Sequence, residues 1–421
     1  MFWFPQNEEQ KYYGYLKFDY VNGITLEIFD NENLMKREVS YINIFGVLED
    51  KKKITLNKCS FISAGHFLEF PTSKFSIIFL LVGKHFDNIP IHFENCIIEY
   101  SSLHSFITID SLENLDAKGN TISYKRELNI PSYCKIKFYS ENNKSSGKLL
   151  VMIKSLQSKS LDYYIELKHI IQDFLNLVIS DYVFVKSFFA RIPDQYEKIE
   201  IIYNSQRSAE NTNNMMFKPH VITTLFQYKQ VEHQFENILA KWFEIYEQLR
   251  DIYNLYFGVI YNPQLYDVMM FLMLAEALEN YHLKVKDNNS LYKITKKTYI
   301  KDLKKLVEKS NFNDFDKQYL IKGLSNITSL SREERYTELY RYYYKILIKI
   351  RSIKDQKRFL SLVVKTRNYY THYKEDPNLI AKGDELIWII KDLQCFLQLC
   401  FLSYMNFSLK EIETFYKIDK L

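Results

Sequence analysis

The pattern of apolar residues changes part-way along this chain of 421 residues, and the change limits the folds it can adopt. Up to about residue 167, short runs rich in β-branched and aromatic residues alternate with turn-forming clusters, which is typical of strands. Beyond about residue 222, apolar residues recur at steps of three and four, the spacing of one helix face. The sequence therefore predicts an α+β multidomain protein, with an N-terminal antiparallel β sandwich or barrel-like domain followed by an all-α helical bundle.

Strands of the N-terminal part are predicted from runs bounded by turn residues. Asn22 and Gly23 form the dipeptide that most favours a two-residue hairpin turn, because both central positions need positive φ. A helix is predicted over 169–179, and the polar stretch 205–216 is expected to be a loop. The runs expected to form strands are 11–20, 24–29, 53–61, 75–82, 89–100, 122–128, 134–139, 149–153, 163–167 and 198–203.

Capping signals predict where the later helices begin. The pair of Ser331 with Glu334, and the same spacing at 408–411, are capping boxes that satisfy orphan amides at a helix start. Asn262 followed by proline predicts a helix over 265–282, and Ser352 is expected to open a further helix. Pro377 ends that helix, and a long one follows over 379–405, giving four or five antiparallel helices.

These patterns divide the chain into three predicted segments. Residues 1–220 are expected to form a β-rich sensor or regulatory domain. Residues 221–260 are expected to form a long connecting helix, and residues 261–421 the helical bundle.

The hexapeptide RNYYTH at 367–372 offers chemistry that the rest of the chain does not. Arg367 can hold a phosphate through a planar fork of donors that stays charged. His372 can accept or donate a proton near neutrality. Together the two groups can activate a ribose 2′-hydroxyl and stabilise the phosphorane it forms, as in metal-independent HEPN ribonucleases. A basic helix end on a solvated face is the alternative interpretation.

Spacing within the hexapeptide bears on how such a site is assembled. Arg367 and His372 are five residues apart, so on a helix they point about 140° apart and lie about 7.5 Å apart along the axis. One helix is therefore not expected to aim both at one phosphate, and a homodimer with a shared cleft is predicted. His372 is assigned as general base or acid and Arg367 as the stabiliser of phosphate charge. Asn368 is expected to orient the histidine or the phosphate.

Other classes of protein have little support in the sequence. The five cysteines are scattered without a CxxC pair, and no histidine or carboxylate cluster has metal-ligand spacing, so neither a metal nor a cofactor is predicted. No signal peptide and no apolar run of membrane-spanning length is recognised, which predicts a cytoplasmic protein without a membrane partner. His282 is expected at a helix boundary, and His66, His85, His92 and His104 are expected to be structural.

Positive charge is concentrated ahead of the hexapeptide. Residues 291–366 contain 19 Lys and Arg against 8 Asp and Glu, whereas the whole chain has a net charge of only +5. This distribution suits a polyanion such as RNA near that site, and solvated helix faces are the alternative. The 34 Tyr and 31 Phe suit base stacking, or reflect an AT-rich coding sequence.

Residues 366–415 resemble the C-terminal HEPN domain of ApeA-like anti-phage proteins, and residues 265–282 resemble the start of that domain. Residues 2–5 and the hairpin at Asn22 resemble the amino-terminal β domain of the same family. The resemblance implies a bacterial abortive-infection effector that cuts RNA, with transfer RNA as a candidate target. The β domain would sense infection, with a phage-derived protein as a candidate trigger, or restrain the nuclease.

The motif match assigns the catalytic roles to Arg367 and His372, and the polar position to Asn368. One departure concerns a tyrosine that related HEPN toxins carry two positions after the histidine, where it is modified. Here Lys374 occupies that position and Tyr373 adjoins the histidine, so control by modification is not implied. The alternative function is a non-catalytic HEPN protein that binds RNA or a protein partner as a sensor or adaptor.

Overall fold

The structure, a computed structural model, separates into two compact units. The first contains the described residues up to 240, and the second contains those from 241 onward. The predicted boundaries at 220 and 260 stay predictions. The residues described are 1–19, 23–29, 41–67, 70–86, 90–108, 113–115, 121–123, 126–140, 148–180, 182–193, 195, 197–203, 224–286, 291–326, 330–351, 355–373 and 375–416.

Strands dominate the described part of the first unit. Thirteen of them form one sheet in which every pairing is antiparallel, and β9 and β10 pair separately. The strands are β1 (Phe2–Phe4), β2 (Asn7–Tyr12), β3 (Gly14–Asp19), β4 (Gly23–Phe29), β5 (Ile42–Val47), β6 (Lys53–Phe67), β7 (Phe70–Val82), β8 (His92–Tyr100), β9 (Glu113–Leu115), β10 (Thr121–Ser123), β11 (Arg126–Ile130), β12 (Cys134–Ser140), β13 (Leu149–Ser160), β14 (Val185–Arg191) and β15 (Lys198–Tyr203).

The order of strands in the sheet is β11-β12-β13-β8-β14-β15-β7-β6-β5-β1-β2, and β4 pairs with both β7 and β3. Asp19 pairs with Gly23 across the β3–β4 hairpin, and Gly23 has a φ of 77°. Asn22 lies outside the described residues. The predicted fold class, an antiparallel β domain followed by helices, is confirmed.

A long helix, α2 (Leu161–Ile179), packs on this sheet, whereas residues 163–167 were predicted to be a strand. That prediction is wrong because Ser160 caps a helix there, accepting a hydrogen bond from the amide of Tyr163. The buried hydroxyl of Tyr164 then donates to the carbonyl oxygen of Glu94 in β8 at 2.7 Å. Two short α-helices, α1 (Leu103–Phe106) and α3 (Tyr228–Val231), also lie in this unit.

Helix α2 also buries a lysine. The ammonium of Lys168 donates to the hydroxyl of Tyr203 at 2.9 Å and to Oε1 of Gln172 at 3.2 Å. Burial lowers the pKa of Lys168 to about 7, because removal from water penalises the charged form. The lysine is therefore expected to shed its proton in the folded protein at a pH at which the unfolded chain still holds it.

Replacing Lys168 with methionine is expected to change how stability depends on pH. At Lys168, the unfolded chain binds more protons than the native one between the folded pKa of about 7 and the ordinary value of 10.5. This lysine should therefore contribute a rise in the free energy of unfolding with pH in that window, by up to about 1.4 kcal/mol per pH unit. Lys168→Met should lack this rise in urea unfolding followed by circular dichroism.

The matched control is Lys74→Met, because Lys74 is exposed on the same sheet. It should keep the wild-type dependence on pH. If the unfolding free energies of the wild type and Lys168→Met depend on pH in the same way, the conclusion that burial lowers the pKa of Lys168 is contradicted.

Helices make up the second unit in the residues that are described. The first of them, α4 (Phe235–Tyr261), begins in the first unit. It is followed by α5 (Asp267–Tyr281), α6 (Leu291–Glu308), α7 (Asp314–Asn326), α8 (Arg332–Arg351), α9 (Gln356–His372), α10 (Gly383–Tyr404) and α11 (Leu409–Phe415). The prediction of four or five helices omitted α6 and α7.

Helix α10 forms the centre of this unit. Phe401 packs its ring against Tyr253 and Tyr256 of α4, with centroids 4.9 and 5.2 Å away, and the hydroxyl of Tyr281 donates to the carbonyl oxygen of Cys400. By length and composition α10 is apolar enough to cross a membrane, but 61% of its most apolar window is buried in the structure. The helix predicted over 379–405 is present as α10, but its apolar length was not recognised because charged residues interrupt the apolar run. Its burial fits a core helix.

The predicted helix starts have mixed outcomes. Both capping boxes are confirmed, since the Ser331 hydroxyl accepts from the Glu334 amide and the box at 408–411 is present. Asn262 does not cap the next helix; its side chain donates to the carbonyl oxygen of Gly258 at the end of α4. Ser352 lies outside the described residues, and the side chain of Asp355 caps α9.

Candidate active site

The hexapeptide occupies the last turns of α9, as predicted. The carboxylate of Asp355 accepts a hydrogen bond from the amide of Arg358 at the start of the helix. Tyr373 ends it in the left-handed conformation, with its amide bonded to the carbonyl oxygen of Tyr369. His372 is therefore the last helical residue, and its side chain is exposed to solvent.

Arg367 and His372 meet within a single chain. Nη1 of Arg367 lies 3.3 Å from Nε2 of His372 and donates to the hydroxyl of Thr371 at 3.1 Å. The two groups were not expected to reach one phosphate from a single helix because of their separation along it, and this contact removes that separation. Angular separation on a helix describes Cβ directions, whereas the long arginine side chain folds along α9 to reach the imidazole. The predicted homodimer loses this argument and stays a prediction.

The contact also bears on the hydrogen-bonding role of the imidazole nitrogen. A guanidinium nitrogen always carries hydrogen and can only donate, so Nε2 of His372 can face it favourably only with a free lone pair. A general base needs that lone pair. A histidine with its lone pair on Nε2 fits both this contact and the role of a proton acceptor.

Helix α5 contributes a carboxylate beside the arginine. Oε2 of Glu276 lies 3.6 Å from Nη2 of Arg367, whose side chain is only 17% exposed. The guanidinium thus faces the imidazole at one nitrogen and a carboxylate at another. Glu276 was not identified from the sequence, because nothing in the chain order relates it to Arg367, a residue 91 positions later.

Asn368 has partners other than the expected histidine. Nη1 of Arg332 donates to its Oδ1 at 3.3 Å, and its Nδ2 donates to Glu375 at 3.4 Å. Asn368 was expected to bind the histidine or the phosphate; its partners here are Arg332 and Glu375, and the phosphate alternative stays a prediction. It links α9 to α8 and to the segment after the helix, which suits a residue that positions the helix end.

A buried ion pair lies behind Asn368. Glu279, 8% exposed, accepts from Nε of Arg332 at 2.5 Å and from Nη1 of Arg335 at 2.8 Å. One turn further, His282 is fully buried and its Nε2 lies 2.8 Å from Glu338. The prediction of His282 at a helix boundary is confirmed, because it is the C-cap of α5 and begins the π-helical turn that follows, although its complete burial was not predicted. Charged and histidine side chains recur at steps of three along α5 and along α8, and residues at that spacing share a helix face. This periodicity is the sequence signal that could have predicted the buried cluster.

Thr366 secures the chain after the hexapeptide. Its fully buried hydroxyl accepts a hydrogen bond from the amide of Ala381 at 2.9 Å. A buried amide needs a partner, so this bond ties the return of the chain to the end of α9. His372 is thereby presented from a helix end fixed on both sides.

Exposed cations and aromatic rings lie together on α6 and α7. Lys297, Lys301 and Lys305 are exposed at steps of four, which places them on one face of α6. Large apolar side chains are exposed on the same two helices: Ile294, Tyr299, Leu303, Leu306, Phe315, Tyr319 and Leu320. In the described residues no cluster of three or more His, Cys, Asp or Glu side chains could hold a metal ion.

Comparison with known families identifies the helical unit first. Residues 272–411 match the family described as Apea-like HEPN, so the protein contains a HEPN domain. Residues 1–242 match ApeA N-terminal domain 1. The chain therefore belongs to the ApeA family. No curated protein and no solved structure matches it.

The two matches support a coarse function. HEPN domains are generally ribonucleases, and ApeA-like proteins are associated with defence, so the chain has a defence-associated, RNA-related role. The HEPN match spans all of α9, including Arg367, Asn368 and His372.

Proposed function

We propose that this protein is a metal-independent HEPN endoribonuclease that acts in bacterial anti-phage defence by abortive infection. The observation that carries the proposal is the 3.3 Å approach of the Arg367 guanidinium to the His372 imidazole at an exposed helix end. A fixed cation beside a proton acceptor is the minimum that cleavage at a ribose 2′-hydroxyl requires.

In the proposed reaction, Nε2 of His372 takes the proton of the 2′-hydroxyl. The 2′-oxygen bonds to the adjacent phosphorus while the bond from phosphorus to the 5′-oxygen breaks, and that oxygen takes a proton from water. Arg367 donates to the non-bridging oxygens, where charge accumulates in the transition state. The products carry a 2′,3′-cyclic phosphate and a 5′-hydroxyl, and DNA is no substrate because it lacks the attacking group.

Substrate binding would rearrange the arginine. A scissile phosphate competes with Glu276 and His372 for the guanidinium, and the charged oxygens of a phosphate are the stronger acceptors. Arg367 is then drawn toward the substrate, and Nε2 is left facing the 2′-hydroxyl. Asn368, held by Arg332 and Glu375, keeps the last turn of α9 in place.

RNA would reach the site over α6 and α7. The lysine row of α6 suits a phosphate backbone, and the exposed Tyr299, Phe315 and Tyr319 suit unpaired bases. Single-stranded loops, such as those of transfer RNA, present both features.

A homodimer through the HEPN domain belongs to the proposal, although one chain already brings the two groups together. Mixed dimers with Arg367→Ala in one chain and His372→Ala in the other test it. Activity in the mixture but in neither parent supports a cleft shared by two chains. An inactive mixture that still sediments as a dimer contradicts a shared cleft.

A non-catalytic HEPN protein that binds RNA or a protein partner as a sensor or adaptor is the second candidate. The enclosure of Arg367 by Thr371, His372 and Glu276 favours it, because an arginine so occupied also serves to stabilise a helix end.

Incubation of the purified full chain with RNA in excess chelator separates the two candidates. The ribonuclease proposal predicts fragments ending in 2′,3′-cyclic phosphate, and no cleavage of a DNA strand of the same sequence. Cleavage of DNA, or dependence on added metal, contradicts the mechanism. Saturable RNA binding without fragments, during infection as well as in vitro, supports the second candidate.

A further inference from the structure

A row of polar side chains crosses four neighbouring strands of the sheet in the first unit. Lys135 of β12 pairs with Lys154 of β13, Lys154 with Asn95 of β8, and Asn95 with Arg191 of β14. Cross-strand partners project to the same face of a sheet. The alternation along β12 fits this, because Ile136 and Phe138 are buried while Lys135 and Lys137 are not.

These residues line a cavity of about 260 Å³. Its cations are Lys135, Lys137, Lys154 and Arg191, and its carboxylates are Glu94 and Glu127. The volume lies a little below the range of about 300–1,000 Å³ for drug-sized ligands. The cavity therefore suits a small polar ligand.

Two polar atoms at the cavity are buried without a hydrogen-bond partner. They are Oδ1 of Asn95, a residue only 5% exposed, and Nε of Arg191. A buried polar atom left unpaired is unfavourable, and native structures contain few of them. The two residues are direct partners in register, so an unpaired acceptor and an unpaired donor adjoin in one cavity. A bound ligand would satisfy both.

The charges of the cavity indicate the class of ligand. Glu127 forms ion pairs with Lys135 at 2.8 Å and with Lys137 at 3.7 Å, and Glu94 forms one with Lys154 at 2.8 Å. Four cations against two carboxylates leave an excess of two positive charges. An anion of about two charges matches this excess, and the planar donors of arginine suit phosphate oxygens.

We propose that this cavity binds a small phosphorylated molecule of about the size of a mononucleotide. The phosphate accepts from Nε of Arg191 and from the lysines. Oδ1 of Asn95 accepts from an N–H or O–H group on the remainder of the ligand. All of these residues lie within 1–242. They are therefore outside the HEPN match at 272–411 and are not among the proposed ribonuclease residues.

Thermal-shift and calorimetric titrations of the full chain test the proposal. Inorganic phosphate and adenosine monophosphate are expected to raise the melting temperature and to bind saturably, and the nucleotide is expected to bind more tightly. Adenosine and acetate serve as probes without phosphate and are expected to have no effect. Equal binding of adenosine and the monophosphate, or no response to either phosphate compound, would overturn the proposal.

Three variants identify the site. Arg191→Lys keeps the charge but removes the Nε donor, and is expected to weaken phosphate binding at least tenfold. Asn95→Leu removes the unpaired oxygen, so the ligand-free melting temperature is expected to stay or rise while the nucleotide-induced shift disappears. Lys186→Gln, on the same strand outside the cavity, is the control and should bind like the wild type. Wild-type affinity in both cavity variants would contradict the assignment.

Discussion

RNA cleavage is expected to slow by about 10²–10⁴-fold when His372 is replaced by alanine, because the reaction loses the group that takes the 2′-hydroxyl proton. Arg367→Ala is expected to slow it by about 10²–10³-fold, through loss of charge stabilisation in the transition state. Both rates are measured on one labelled RNA at saturating protein. His372 is exposed, so its replacement should leave the melting temperature unchanged.

Two matched controls separate the loss of a catalytic group from a general effect of substitution on the protein. His104→Ala removes an exposed histidine near the end of another helix, and Arg358→Ala removes an exposed arginine from α9 itself. Both should cleave at the wild-type rate. Wild-type cleavage by His372→Ala would remove the histidine from the mechanism, and a loss of activity in Arg358→Ala would point to a role of charge on α9 in general.

Replacing Glu279 with alanine is expected to lower the free energy of unfolding of the helical unit by about 3–5 kcal/mol. The substitution leaves the guanidinium groups of Arg332 and Arg335 without their carboxylate in a site where their side chains are 21% and 12% exposed. Removal of one partner from a buried ion pair is strongly destabilising, because the remaining charge stays desolvated. Urea unfolding followed by helical circular dichroism measures the loss.

Glu276 provides the control on the same helix. Its side chain is 43% exposed and 3.6 Å from Arg367, so Glu276→Ala should change the free energy of unfolding by no more than about 1 kcal/mol. Similar effects of the two substitutions would contradict the distinction between a buried and an exposed ion pair. Glu279→Ala should also slow RNA cleavage, because Arg332 then loses the anchor from which it holds Asn368.

Local features of this chain could be predicted from its sequence. The serine and glutamate of each capping box lie three residues apart and form their bonds within one helical turn. Hydrophobic alternation located most of the described strands, because half-buried strands repeat every two residues. Residues 163–167 were wrongly predicted to be a strand because their apolar pattern is short. The cap at Ser160 instead starts a helix there.

Distant pairings could not be predicted. Glu279 and Arg332 are brought together by the packing of α5 on α8, and no short motif records that contact. The cavity of the sheet likewise depends on the register of β8 against its neighbours, and a shift of one residue would turn Asn95 to the other face.

The residues of the proposed site stay a prediction, and their geometry differs from the expected one. Arg367 and His372 were chosen for their chemistry, and they lie together at the end of α9. Their separation on a helical wheel suggested that the two side chains point apart. The wheel was misleading because it contains no information on side-chain length or conformation. Asn368 was expected to orient the histidine or the phosphate, and the sequence did not indicate that Arg332 from another helix binds it.

The most direct test of the ribonuclease account is to map RNA ends carrying 2′,3′-cyclic phosphate in bacteria that express the full chain during phage challenge. The account predicts such ends, and arrest of the infected culture, with the wild type and with His104→Ala, and neither with His372→Ala. Identical ends with His372→Ala, or protection by the wild type without any such ends, would contradict it.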